Sequence, residues 1–208
     1  MKGHQDYIRD IVEIRSMMER TSKFLSLSGW AGIMGGLYAI VGAYIAYEVF
    51  DFNPDVIEYS YPKSESFSSN LLKVFFLALI VLILTISTAI FLSYKKAIKR
   101  GEKLWNTTAK GLLINMTVPL IAGVLLILIL ISKGLIGFIA PLTLLFYGLA
   151  LFNASNFTYE EVKSIGLIEI GLGLISIYFV EYGLLCWAVG FGVVHIIYGI
   201  YLHYRYER

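Results

Sequence analysis

Cysteine is almost missing from this chain. Cys186 is the only one in 208 residues, so no intrachain disulfide forms and no thiolate metal cluster assembles within one chain. Charge is also scarce. Asp, Glu, Lys and Arg make up 15% of the residues, against about 25% in a soluble domain. The formal net charge of +2 is too small to argue for a nucleic-acid partner. There are three histidines, His4, His195 and His203, a poor set for haem or zinc. The phosphate-binding G-x-x-x-x-G-K-[ST], H-E-x-x-H and G-x-S-x-G motifs are absent. The sequence supports no cofactor, no metal and no enzyme assignment.

What the chain does contain is long apolar runs. Hydrophobic residues make up 58% and the mean hydropathy is +0.73. That pattern predicts an all-α polytopic membrane protein, a bundle of six transmembrane helices in one domain. A span needs roughly 20 apolar residues, and six runs qualify or nearly so: 24–50, 71–94, 111–131, 135–152, 162–180 and 183–202. Ahead of them, 1–23 reads as a cytoplasmic amphipathic helix. Tyr7, Ile11, Ile14 and Met18 share one face, while Arg9, Asp10, Glu13, Arg15, Glu19 and Arg20 supply the wet side. Such a helix lies on the lipid headgroups or serves docking and dimerisation. The first apolar run is too long for a signal-peptide core, so no cleavage is expected.

The basic residues set the expected topology. Five lie in 1–23, six in 95–110, one at Lys163 and two at Arg205 and Arg208. Only Lys63, Lys73 and Lys133 fall on the opposite side. Positive charge concentrates in the cytoplasm, so both termini are expected there, in a bacterial inner membrane. In the first span Ser28, Gly32, Gly35, Ala39, Gly42 and Ala46 recur at spacings of 4 and 3. A stripe of small residues is a close-packing surface, offered to another helix of the chain or to a second copy in a homo-oligomer.

The candidate site comes from the last two spans. Gly166, Glu169, Gly173 and Ser176 share one helix face; Ala188, Gly192, His195 and Gly199 share another. Folded about Tyr182, the faces pair 166 with 199, 169 with 195, 173 with 192 and 176 with 188. Glu169 and His195 then meet at membrane depth. A charge there costs roughly 2.5–3.5 kcal/mol on insertion scales and faces a partner or a cavity. Histidine changes charge near neutral pH, which makes the pair a proton-titratable substrate site, with Asn115 and Asn153 as outer candidates. The bland reading is a polar contact that fixes helix register. At the start of span five, Thr158 and Glu161 fit a T-x-x-E capping box. In the third span, Pro119 is expected to kink the helix near Asn115.

Two resemblances bear on the reading. Ser26-Leu27-Ser28-Gly29 with His195 resembles the serine and histidine of intramembrane rhomboid proteases. It is rejected, because Ser26 replaces the first glycine of that motif and the serine sits in the first span. Arg15 to Arg20 leading to Ser26–Gly29, then Phe146-Tyr147-Gly148-Leu149-Ala150 with Asn153-Ala154-Ser155, and Trp187-Ala188 with His195 and Tyr198-Gly199, are similar to an uncharacterised multi-pass membrane protein family frequent in Bacteroidetes bacteria. This similarity covers nearly the whole chain. It implies a bacterial inner-membrane protein and brings no activity and no site residues with it. Two functions stand: a transporter or sensor working through the polar pair, and a non-catalytic adaptor that binds a partner through its N-terminal helix and basic loop.

Overall fold

A computed structural model of the chain describes residues 24, 27–52, 65–101 and 105–207, the side chains of 65–69 excepted. The expected N-terminal amphipathic helix lies outside the described residues. Those described are helical, with no strand among them. The helices are α1 (Gly29–Glu48), α2 (Glu65–Lys99), α3 (Thr107–Ser132), α4 (Ile139–Ala154), α5 (Glu161–Tyr178), α6 (Gly183–Trp187) and α7 (His195–Tyr206). A π-helical turn, Ala188–Val194, joins α6 to α7 without a break, so the two form one final rod. Helix ends follow local chemistry. Asn106 caps α3 by accepting the Ala109 N–H at 2.8 Å. At the other end Gly134 adopts φ +76°. Its N–H reaches Ile131 O at 3.0 Å and that of Leu135 reaches Leu130 O at 2.9 Å, the doubly bonded turn that a left-handed glycine permits.

Among the described residues six rods run alternately up and down. Five of them, Gly29–Glu48, Asn70–Lys99, Thr107–Ser132, Ile136–Phe157 and Val180–Tyr206, are long and apolar enough to cross a membrane. α5 falls short because its 18 residues include Glu161, Lys163 and Glu169. On α2, Phe75, Phe76, Ile80 and Ile83 are each more than half exposed. A water-soluble monomer does not display an apolar surface of that extent, and the chain is a membrane-embedded helical protein.

With hydrocarbon outside, burying apolar side chains between helices gains little, and close backbone contact holds the rods together. Glycines make that contact. A Cβ added to Gly148 of α4 would lie 2.7 Å from both Gly166 O and Ile170 N of α5. One on Gly166 would meet Gly148 O and Phe152 N at 2.8 Å, and one on Gly173 would meet Leu145 N at 2.8 Å. The second seam joins α1 to the final rod. There Gly29 lies against Gly199 O and Gly36 against Gly192 O, with added Cβ atoms at 2.5 and 2.6 Å.

These seams correct the expected register of the last two spans. Gly166 and Gly173 face α4, not the final rod; Gly192 and Gly199 face α1. Of the four expected pairs, the contact the structure brings together is Glu169 with His195. The small residues of α1 divide between two neighbours. Gly32 and Gly36 take the final rod, while Gly35 and Gly42 take Thr85 and Val81 of α2. The first-span stripe thus packs within the chain at Gly32, Gly35 and Gly42.

One end of the bundle is tied by polar groups. Lys96 at the end of α2 donates to Leu27 O at 2.6 Å and to Glu207 Oε1 at 2.9 Å. The same oxygen accepts the Gly29 N–H at 2.9 Å, and His203 Nδ1 lies 2.9 Å from Glu207 Oε2. Burial pushes the Glu207 carboxyl up, but the bonds from His203, Lys96 and the Gly29 amide outweigh it and hold it at about 2, below the usual 4.5. A depressed value means the carboxylate stabilises the fold above pH 4.5 and loses that contribution as pH falls through about 2. Thr158 also serves this end. Its hydroxyl donates to Phe24 O at 2.9 Å, and α5 has no side-chain cap bond at Glu160. The expected Thr158–Glu161 capping box is thus replaced by a tether to Phe24, ahead of α1.

The glycine seams predict a contrast. Gly148→Ala should lower the melting temperature in detergent, by about 1–3 kcal/mol of stability. Gly171→Ala, where a Cβ meets nothing within 4 Å, should be neutral or slightly stabilising, since alanine favours helix. Equal melting temperatures for the two variants would contradict the seam.

Candidate functional site

Three rods meet at the candidate site. α4 contributes Leu144 and Tyr147, α5 contributes Glu169, and the final rod contributes Gly190 and His195. Glu169 and Leu144 are completely buried. The π turn matters because it inserts an extra residue per turn and re-aims the side chains beyond it. His195 sits where that turn becomes α7, and its ring reaches back to the turn. Nδ1 lies 3.0 Å from Gly190 O and Nε2 lies 3.0 Å from the Tyr147 hydroxyl. Phe191 stacks on the imidazole at 5.9 Å between centroids, and Trp187 lies 5.0 Å from Phe191 in turn. The ring is therefore fixed by two bonds and an aromatic neighbour.

These contacts assign the tautomer. Nδ1 faces two acceptors, the Gly190 carbonyl and Glu169 Oε1 at 3.5 Å, so Nδ1 carries the hydrogen. In the neutral ring Nε2 is then an acceptor, and the Tyr147 hydroxyl donates to it. The Nδ1–H points along the shorter contact, to Gly190. This explains why the 3.5 Å approach of Glu169 is an ion-pair distance and not a hydrogen bond.

The Glu169 carboxyl is held differently from the ring. Neither of its carboxyl oxygens has a hydrogen-bond partner among the described residues, and both are buried. Oε2 lies against Gly190, where a Cβ would collide with it and with Leu144 Cδ2. Glycine at 190 is what admits a carboxyl group here. A carboxylate without donors in a dry interior is expensive. When the pair holds one shared proton it is neutral overall, in one of two arrangements: a protonated Glu169 beside neutral imidazole, or a carboxylate beside imidazolium. The two differ by a shift of one proton across 3.5 Å.

The other expected residues lie elsewhere. Asn115 is exposed on α3 and donates to Gly111 O of its own helix at 2.8 Å. Asn153 is exposed on the last turn of α4. Neither joins the Glu169 cluster. Tyr147 is the site residue that sequence reading missed. Its signal was position: tyrosines of membrane helices gather at the interfaces, and this one lies mid-run in α4. Among the described residues no three His, Cys, Asp or Glu side chains converge as metal ligands would.

Removing either member leaves the other unpaired at depth. Glu169→Gln and His195→Ala should each destabilise the protein. The double variant should lose less than the two together, by an interaction of about 0.5–3 kcal/mol. Thermal melts of the four proteins in detergent measure it; strict additivity would mean the two side chains do not interact.

Compared with models of protein families, with curated proteins and with solved structures, the chain matches none.

Proposed function

We propose that this is a bacterial inner-membrane protein of transporter or sensor type, which works by taking up and releasing a proton at Glu169 and His195. The observation that carries the reading is the Glu169 carboxyl: completely buried, both oxygens unpartnered among the described residues, 3.5 Å from an imidazole. Intramembrane ionisable groups are costly and mark ion and proton sites. A structural contact that only fixed register would satisfy its own hydrogen bonds, and this one does not.

In this reading α5 is a sixth span. It runs antiparallel along α4, and Glu161 and Lys163 occupy only its first turn, leaving Glu169 as its one ionisable group at depth. With six crossings both termini share a side. Fourteen of the 17 lysines and arginines then lie on that side, which the charge rule makes cytoplasmic. The similarity to a Bacteroidetes membrane family fits the same placement. The lipid bilayer is the one partner this reading requires.

Infrared spectroscopy of the purified protein in lipid tests the proposal. Between roughly pH 5 and 9, where histidine and perturbed carboxyl groups titrate, a protonated carboxyl band should appear and vanish reversibly. Glu169→Gln should abolish that band, and His195→Ala should move its midpoint. The absence of any Glu169-dependent titration would remove the proton site and leave the membrane adaptor.

A further inference from the structure

Two lysine amines at the polar end of the bundle lie over rings on its outer surface. Lys95 Nζ stands 4.4 Å from the centre of the Phe91 ring, and Lys163 Nζ stands 5.4 Å from that of Phe152. Both lysines are exposed, and so are both rings, Phe91 at 55% and Phe152 at 36%. Each ring lies deeper in the bundle than its lysine. Phe91 comes one turn before Lys95 on α2, which ends on this side. Phe152 is level with Gly166, whose added Cβ would meet the Phe152 backbone N at 2.8 Å, and Gly166 lies further into α5 than Lys163. Both amines thus lean from the end of the bundle toward the membrane. Lysines near helix ends ordinarily carry their charge the other way, out to water.

Contacts between the rods put both lysines at the same end. Lys96, next after Lys95, bonds to Glu207 of the tail at 2.9 Å. Glu161, two residues before Lys163, lies 3.2 Å from Arg205 of the same tail. More positive charge stands there. Lys99 is one turn beyond Lys95 and exposed. Lys110 Nζ lies 5.9 Å from the ring centre of the exposed Trp105, and Gly111 against the Phe157 ring fixes the start of α3 at this end. The carboxylates of Glu207 and Glu161 are already engaged, the first by Lys96 and His203 and the second by Arg205. Lys95 and Lys163 form no ion pair among the described residues. A ring face attracts a cation but does not neutralise it. An ammonium group at the level of lipid-facing side chains is costly until an anion meets it, and the anion that lies at that level in a bilayer is a lipid phosphate.

We infer that the Lys95–Phe91 and Lys163–Phe152 pairs are headgroup sites for anionic phospholipid. The amine meets the phosphate, and the ring beneath it receives the start of the acyl chains. Exposed apolar side chains continue from each ring toward the middle of the membrane, Leu84 and Ile83 on α2, Leu149 on α4 and Leu167 on α5. A zwitterionic headgroup brings an ammonium of its own into a surface that already holds Lys99 and Lys110. An anionic headgroup brings none, so the surface favours net negative lipid. The two sites stand on different rods, α2 and the α4–α5 pair, and each acts by itself. Neither depends on the proton chemistry of Glu169.

Native mass spectrometry of the whole protein tests the sites. The protein is released from detergent that holds equal amounts of phosphatidylglycerol and phosphatidylcholine with matched acyl chains. The wild-type protein should retain phosphatidylglycerol over phosphatidylcholine. Lys95→Gln and Lys163→Gln should each cut the retained phosphatidylglycerol roughly fivefold, the loss expected for one lysine at an anionic surface, and the double variant should lose more than either. Lys133→Gln, exposed at the opposite end of α3, should change nothing. Equal retention of the two lipids by the wild-type protein would overturn the inference and leave these amines to another anion, such as the acidic side chains of residues 1–23. A preference that survives the double substitution would overturn it as well, and so would an equal loss from Lys133→Gln. Displacement of the lipid by inorganic phosphate would mark a site for soluble anions and contradict the lipid assignment.

Discussion

The bundle depends on backbone touching backbone at glycine. Inside a membrane the surrounding lipid is as apolar as any helix face, so the advantage of one arrangement over another comes from how closely the rods approach. Gly148, Gly166 and Gly173 set α5 on α4; Gly29, Gly36, Gly192 and Gly199 set the final rod on α1. Because the final rod is committed to α1 on one face, the π turn is what lets its other face reach α4 and α5. Gly190 and His195 are delivered to Glu169 by that division of contacts.

The same arrangement explains why a carboxyl group is tolerated in the middle of the protein. It occupies space that a methyl group at 190 would fill, and the base beside it is held by Gly190 and Tyr147. Holding His195 by two other bonds keeps it close to Glu169 without quenching the carboxyl. A full hydrogen bond between them would lower the energy of one protonation state and trap it. A 3.5 Å separation leaves the two neutral arrangements nearer in energy, which is what a group that must both accept and give up a proton requires. Polar anchoring is kept to the end of the bundle, where Lys96, Glu207 and Thr158 tie the rods together.

Much of this was legible in the residues. Long apolar runs announced the helices, and the two ionisable residues inside them announced the Glu169–His195 contact. The register around that contact was not legible. Small residues at spacings of 3 and 4 declare that a face is close-packed but carry no label for the partner, so the glycines of α5 were matched to the final rod when they belong to α4. Thr158 was misread for a related reason. The T-x-x-E spacing offers its hydroxyl oxygen the Glu161 N–H to accept, but the helix starts only at Glu161, and the hydroxyl instead donates to a carbonyl 134 residues away. The π turn has no sequence signature beyond Gly190 and Gly192, and without it neither the Gly190 carbonyl nor Tyr147 could be placed beside His195.

His195 is held as its Nδ1–H tautomer between Gly190, Tyr147 and a carboxyl group at position 169. Solid-state nitrogen NMR of histidine-labelled protein in lipid, with His4 and His203 substituted, reads that directly. At a pH where the ring is neutral, the spectra should show a protonated Nδ1, an Nε2 that accepts a hydrogen bond, and a through-space correlation from the Nδ1 hydrogen to the Glu169 carboxyl carbon. A ring protonated at Nε2, or an Nδ1 hydrogen with no Glu169 carbon near it, would mean that His195 is not held this way.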